Sequence, residues 1–307
     1  MSYGALTFPL VPRRRLVGLA FGSMRGARRG AGTDVAGSRA YVPGDNPDRI
    51  DWAASGRLSS ARGTDEFVVR EHFADEAPRV VVVSDVRADM SLCPPELPWL
   101  RKDEAVQVAC GLITDSVAEA RGLAGFLEYG RRPGVVSWCA PGTRGGASEL
   151  LDYALARDPA DGVDGAESAL EFLAAHRRAV PSASFVFVLS DFLAPPSVIA
   201  WEDALDRGWD VVPVVVQDPV WEQGFPSVDG IVLPLTGVDG RLRLVRLRPG
   251  ESARLRAEHE GRREQLIDSL GSLGIEPVLL SSAGTESVYE AFLSWAAERQ
   301  ATWSRGV

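Results

Sequence analysis

The chain has 307 residues, 45% hydrophobic and 24% charged, which is ordinary globular material with length enough for a sizeable core. A formal charge of −9 with a pI near 5.0 argues against a nucleic-acid footprint over the whole molecule. Cys93, Cys110 and Cys139 lack C-x-x-C spacing, which speaks against a disulfide frame or zinc site; with no apolar run near the ~20 residues of a membrane span, the expectation is a soluble chain in a reducing, cytoplasmic compartment.

Residues 1 to about 40 are rich in Gly and Arg with little periodicity, and read as an extended or partly mobile basic arm. Arg25, Arg28 and Arg29 in it suit either an anionic surface or plain solvation. The start lacks the basic region, long apolar core and small-residue cleavage site of a secretory signal. Tyr41-Val42-Pro43-Gly44-Asp45 is a turn, with φ fixed at Pro43, a permissive Gly44 and an Asp45 able to bond its own backbone. Ile50 and Trp52 alternate with Asp51, so their side is expected to be buried and to pin residues 41–57 onto the domain as a strap, with Arg49 and Asp51 free to pair with the fold. Phe67 to Arg70 reads as a short strand.

Arg79-Val80-Val81-Val82-Val83-Ser84-Asp85 is too apolar for a strand with one wet face, so it is expected to be buried on both. A carboxylate at the carboxyl end of such a strand is where open α/β sheets place ligand chemistry, although Asp85 could equally cap the next turn. The pattern repeats at Ser184 to Asp191, again ending in Ser-Asp, as if two strands walled one site.

A Pro-rich loop with Pro94, Pro95 and Pro98 leads to a helix whose face is Val106, Cys110, Ile113, Val117 and Ala120. Arg supplies nearly all the positive charge, and the single lysine, Lys102, reads as base composition rather than physics. Leu123–Tyr129 and Val135–Cys139, parted by a Gly/Pro turn, predict an antiparallel hairpin. Helices are expected from about Ser148 to Arg157 and from Ala166 to Ala179. After Asp191 come a helix opened by Pro195-Pro196-Ser197, a buried strand from Trp209 to Val216, and an inserted hairpin near 218–248 whose arginines Arg241, Arg243, Arg246 and Arg248 look like its wet side. A helix near 251–273, a strand at 277–280 and a helix at 286–297 close the chain. This alternation forces a mostly parallel doubly wound α/β sheet with helices on both faces. In the common strand order 3-2-1-4-5-6, the strands ending in Asp85 and Asp191 are neighbours across the switch point.

The run Tyr41, Pro43, Gly44, Asp45, Arg49, Ile50, Asp51, Trp52 and Arg57, followed by a buried strand ending in Asp, resembles the bacterial domain-of-unknown-function 58 family. That resemblance implies an N-terminal extension over residues 1–75, carrying the basic arm and the Tyr41–Arg57 strap. It also implies a von Willebrand factor type A-like domain over 76–307. In such domains a D-x-S-x-S loop forms a metal-ion-dependent adhesion site, so by resemblance Asp85 holds its first position, Asp191 its late aspartate and Thr143 its middle threonine. Here Arg87 and Asp89 replace the two serines. A guanidinium cannot ligate a cation, so the simplest reading has Arg87 fork onto Asp85 or Asp191 in the metal's place. The competing reading turns Arg87 outward and lets Asp85, Asp89 and Asp191 hold Mg²⁺.

No phosphate-binding glycine loop, zinc-protease motif or nucleophile elbow is present. The expectation is a non-enzymatic protein-interaction module whose rim is built by Asp85, Arg87, Asp89, Thr143 and Asp191. The resemblance implies a MoxR-type AAA+ ATPase as partner, in assembly or maturation of client proteins. The alternative is a metal-dependent phosphoester hydrolase using the aspartate cluster.

Overall fold

The computed structural model of the protein describes residues 6–13, 19–43, 45–63, 66–90, 100–132, 135–142, 165–228, 230–236 and 242–305. Gly44, Cys93, the three prolines before Leu100, Thr143, the helix expected near Ser148–Arg157 and Arg241 lie outside these residues.

The elements run β1 (Leu19–Ala40), α1 (Trp52–Arg62), β2 (Val68–Ala77), β3 (Arg79–Asp85), α2 (Lys102–Glu119), β4 (Leu123–Arg132) and β5 (Val135–Cys139). Then follow α3 (Ala166–Ala175), β6 (Phe185–Ser190), α4 (Val198–Asp206), β7 (Asp210–Val216), β8 (Val232–Thr236), β9 (Leu242–Arg246), α5 (Glu251–Ser272), β10 (Val278–Leu280) and α6 (Thr285–Arg305). The central sheet has the order β10-β7-β6-β3-β4-β5. Counted from β3 this is 3-2-1-4-5-6, the common order considered above. Only β5, the return arm of the expected hairpin, runs antiparallel to its neighbour.

The valine run earns its place at the centre because both of its faces are covered. Val80 and Val82 pack beneath α2 and α6, and Val81 and Val83 pack against α3, α4 and α5; all four are at most 1% exposed. Residues 6–13, assigned above to the extension, belong to the first of these layers. Phe8 stacks on Phe292 at 4.6 Å and meets Trp295 edge-on at 6.0 Å, and its N–H donates to Ser116 Oγ at 2.9 Å. The buried Arg299 of α6 holds the Val11 carbonyl at 3.1 Å and Asp210 at 2.8 Å, while the Arg13 N–H donates to the other Asp210 oxygen at 2.7 Å.

Three expectations need correction. The supposedly aperiodic arm contains a long strand, β1, paired antiparallel with β2 through several register shifts. Backbone ladder bonds, which do not depend on side-chain period, make it a strand. Trp52 is 65% exposed rather than buried, and Ile50 is half-buried. The alternation assumed an extended chain, but Asp51 caps α1, its Oδ1 accepting from the Ala54 N–H, so a helical turn begins at Trp52. Trp52 only meets Phe67 edge-on at 5.9 Å. What pins this segment is polar. Asp51 pairs with Arg70 at 2.8 Å, the Val68 N–H donates to the buried Ser55 hydroxyl, and Arg39 forks onto Asp45, which also accepts from the Val42 N–H. The Arg39 guanidinium, helped by that N–H, lowers the Asp45 carboxyl to about 2. Pro43 and Tyr41 flank this turn, Arg49 ends a short 3-10 turn at Pro47–Arg49, and Arg57 lies exposed on α1. Finally, the inserted hairpin forms, but its register puts Arg243 and Arg246 on opposite faces, so the arginines do not make one wet side.

Candidate functional site

Asp85 ends β3 and Asp191 follows β6, and the two strands are parallel neighbours in register, with Ser84 opposite Leu189. Both carboxylates therefore reach the carboxyl edge of the sheet side by side, and both are buried, at 2% and 0% exposure. Each is fully engaged. Asp85 accepts from the Ser190 hydroxyl at 2.7 Å and from the Arg87 backbone N–H at 3.0 Å. The Arg87 guanidinium forks onto it, Nε at 2.9 and 3.0 Å and Nη2 at 2.5 Å, and Nη2 also reaches Asp191 Oδ1 at 3.3 Å. Gly130, at φ +91°, is what lets this side chain lie down: a Cβ there would sit 2.4 Å from Arg87 Cγ.

Asp191 has a second cation. Lys102, the first residue of α2 and the only lysine in the chain, is 4% exposed and places Nζ 2.9 Å from Asp191 Oδ2 and 2.7 Å from Glu222 Oε1. Burial alone would lower the lysine pKa, but the Asp191 and Glu222 carboxylates outweigh it and hold it above its ordinary value. Glu222 is conversely pushed up, by burial against the pull of Lys102. Burial also works against the Arg87 charge, and the bonds to Asp85 overcome it and raise its pKa.

Lys102 thereby ties the strand-end site to the loop after β7, which leads into the inserted hairpin. That loop is itself knotted. Asp218 accepts from the N–H groups of Leu100, Val220 and Trp221, its own N–H donates to Glu222 Oε2, and Gln217 Nε2 donates to the Asp191 carbonyl at 2.7 Å. The turn after β6 holds Phe192 at φ +49°, a costly conformation for an aromatic residue, fixed by its N–H bond to Ser190 Oγ.

Sequence reasoning missed Lys102 and Glu222, and the signal was present. Where arginine otherwise serves every basic position, one retained lysine marks a spot that needs a compact point charge bridging two carboxylates rather than a planar fork. Asp89, by contrast, stands half-buried at the edge of the cluster with its pKa raised, chiefly by burial and then by Asp191, against the pull of Arg87 and Lys102.

A divalent cation does not fit this donor set. Mg²⁺ needs about six oxygen ligands in an octahedron, whereas the Asp85 oxygens are taken by Arg87 and Ser190, and those of Asp191 by Lys102, Arg87 and the Leu193 N–H. Among the described residues no group of three His, Cys, Asp or Glu side chains is placed to hold a metal. Two tethered cations stand where the resemblance places the ion.

Among the described residues no helix is long and apolar enough to cross a membrane. Solved structures similar to this chain include an aerotolerance-related membrane protein from Bacteroides fragilis, at 14% identity over 72% of this chain and 99% of that one, with a TM-score of 0.41. BatB from Bacteroides thetaiotaomicron is similar at 14% identity over the same shares, with a TM-score of 0.37. The pilus adhesin SpaC from Lactobacillus rhamnosus GG is similar at 11% identity over 72% of this chain and 30% of the adhesin, with a TM-score of 0.46. No curated protein matches. The sheet order and the helices on both faces are those of a von Willebrand A-like domain. The family model described as protein of unknown function DUF58 matches residues 37–265, more than half of the chain, and the chain belongs to that family.

Proposed function

We propose that the protein is a non-enzymatic interaction module of the cytoplasm whose strand-end face, carrying Arg87 and Asp89, recognises a protein partner without a metal ion. One observation carries this reading: both strand-end carboxylates are neutralised from within by Arg87 and Lys102. In such a cluster neither Asp85 nor Asp191 is free to ligate an ion or to activate water, which weighs against phosphoester hydrolysis. The cluster does fix a rigid mixed-charge surface, which serves orientation and specificity more than raw affinity.

The partner to which the family resemblance leads is a MoxR-type AAA+ ATPase of the same organism, with this chain as its adaptor to client proteins. The test mixes chelator-treated, desalted protein with that ATPase, loaded beforehand with Mg-ATP and then freed of unbound Mg²⁺ by desalting, and follows co-elution. Association is expected without divalent ions added to the module. Asp85→Asn and Asp191→Asn variants that keep the wild-type circular dichroism spectrum should lose it, whereas Arg243→Ala should not. Undiminished binding by both aspartate variants, or binding that depends on metal restored to the module, would sink the reading. Direct titration supplies a second check, since calorimetry of the isolated protein with Mg²⁺ should register no tight site.

A further inference from the structure

Outside the aspartate cluster, the molecule carries two exposed surfaces that suit each other. The first is a groove of about 140 Å³ between α3 and α4, lined by Leu170, Ala204 and Trp209, by the carboxylates of Glu171 and Asp203, and by Arg207, whose guanidinium lies 5.9 Å from the Trp209 ring. Its width is set by Glu167, whose two oxygens accept from the N–H (2.9 Å) and hydroxyl (3.0 Å) of Ser197, the cap of α4. The spans of α3 and α4 hold five carboxylates and neither lysine nor arginine. Ile199, which lines the groove, is 69% exposed, and its neighbour Val198 is 48% exposed.

The second surface is the β8–β9 hairpin. Its register places Val232, Leu244 and Arg246 on one face, with Val232 54% and Leu244 74% exposed. Arg246 gives that face its positive charge, while Arg243 stands on the other face. A two-stranded hairpin with an uncovered apolar face is marginal in water, so anything that covers this face stabilises it.

We propose that the protein self-associates head to tail, the β8–β9 hairpin of one copy seating in the α3–α4 groove of the next. Apolar side chains meet the apolar floor, and Arg246 meets the carboxylates of Glu171 and Asp203. Both halves lie on this chain, so a second copy supplies the whole interface. Because the two surfaces differ, the contact is heterologous and propagates into open chains unless the rotation closes a ring. A contact between one hairpin face and one groove belongs to the small, transient class of interfaces, and its charged part weakens as salt rises.

Sedimentation velocity of the full-length protein tests this. The wild type is expected to grow beyond the monomer with concentration and to dissociate as salt is added. Leu244→Asp on the hairpin and Asp203→Arg in the groove, both at exposed positions, should each weaken association at least tenfold. Arg246→Glu serves as the hairpin variant should Leu244→Asp not fold. The deciding measurement is a mixture: the Leu244→Asp chain keeps a groove and the Asp203→Arg chain keeps a hairpin, so together they should form a dimer that does not extend. A wild type that stays monomeric throughout, association unchanged by both variants, or a mixture that remains monomeric would each overturn the proposal. None of these readouts involves Arg87, Lys102 or the two aspartates, so this failure is distinct from failure of the metal-free binding site.

Discussion

At the scale of single residues, the cluster at the sheet edge is balanced so closely that one cation removed leaves a buried carboxylate exposed to its neighbours. Lys102→Met would leave Asp191, at 0% exposure, with only the Arg87 cation at 3.3 Å among the described residues, and would strip Glu222 of its cation while leaving it the Asp218 N–H. Breaking one side of a buried ion pair costs about 3–5 kcal/mol, so the variant's unfolding midpoint in denaturant should fall accordingly at neutral pH. A second residue-scale effect lies in pH. Burial, with a contribution from Glu128, pushes the Cys110 thiol up to about 12, against about 8.5 in an unfolded chain. Above about 8.5 the unfolded state loses the proton that the native state keeps, so stability falls as pH rises towards the folded value, by up to ~1.4 kcal/mol per pH unit. Lys102 and Tyr129, both raised in the fold, add losses of the same sign further into alkali. Denaturant curves between pH 8 and about 10 should show that slope, and Cys110→Ala should remove its early part; an identical slope in the variant would refute the assignment.

At the scale of elements, the Tyr41–Arg57 segment shows how a motif can be right in sequence and wrong in role. The aspartates of that motif hold the structure and its tryptophan does not. Asp51 both caps α1 and pairs with Arg70, whereas Trp52 is mostly in water. Asp51→Ala should therefore cost about 1 kcal/mol, the usual cost of a lost cap, while Trp52→Ala should stay within about 0.5 kcal/mol of wild type, as surface changes do. Urea titrations of the pair decide the order, and a larger loss at Trp52 would reinstate the strap packed by its aromatic ring. The sheet elements were far more legible. Four consecutive valines permit only a strand covered on both faces, and a Gly/Pro turn between two short apolar runs permits only a hairpin. The β1 strand was not legible, because its partner β2 is a long stretch away in sequence and its ladder is made by backbone groups common to every residue.

At the scale of the whole molecule, the start of the chain is joined to its end. Phe8 lies 3% exposed among Phe187, Phe292 and Trp295, under a backbone held by Ser116 and Arg299. Phe8→Ala should cost about 3–5 kcal/mol, as for large aromatics in cores, and should shift the single unfolding transition of the sheet domain; a variant with an unchanged midpoint would show that residues 6–13 are only laid on the surface. Here the division of labour between sequence and tertiary structure becomes physical. The sequence by itself determined the doubly wound sheet and the Ser-Asp endings of its two central strands, because strand burial and helical period are local constraints; the order that brings Asp85 to Asp191 matched the common one considered for such sheets. Only the tertiary structure decided what neutralises those aspartates. Arg87 is two residues from Asp85 and could be foreseen, but Lys102 reaches Asp191 across 89 positions and Glu222 across 120. A charge pair formed across such distances leaves no periodic trace in the chain, since it is specified by where one helix begins and two strands end rather than by any spacing between them.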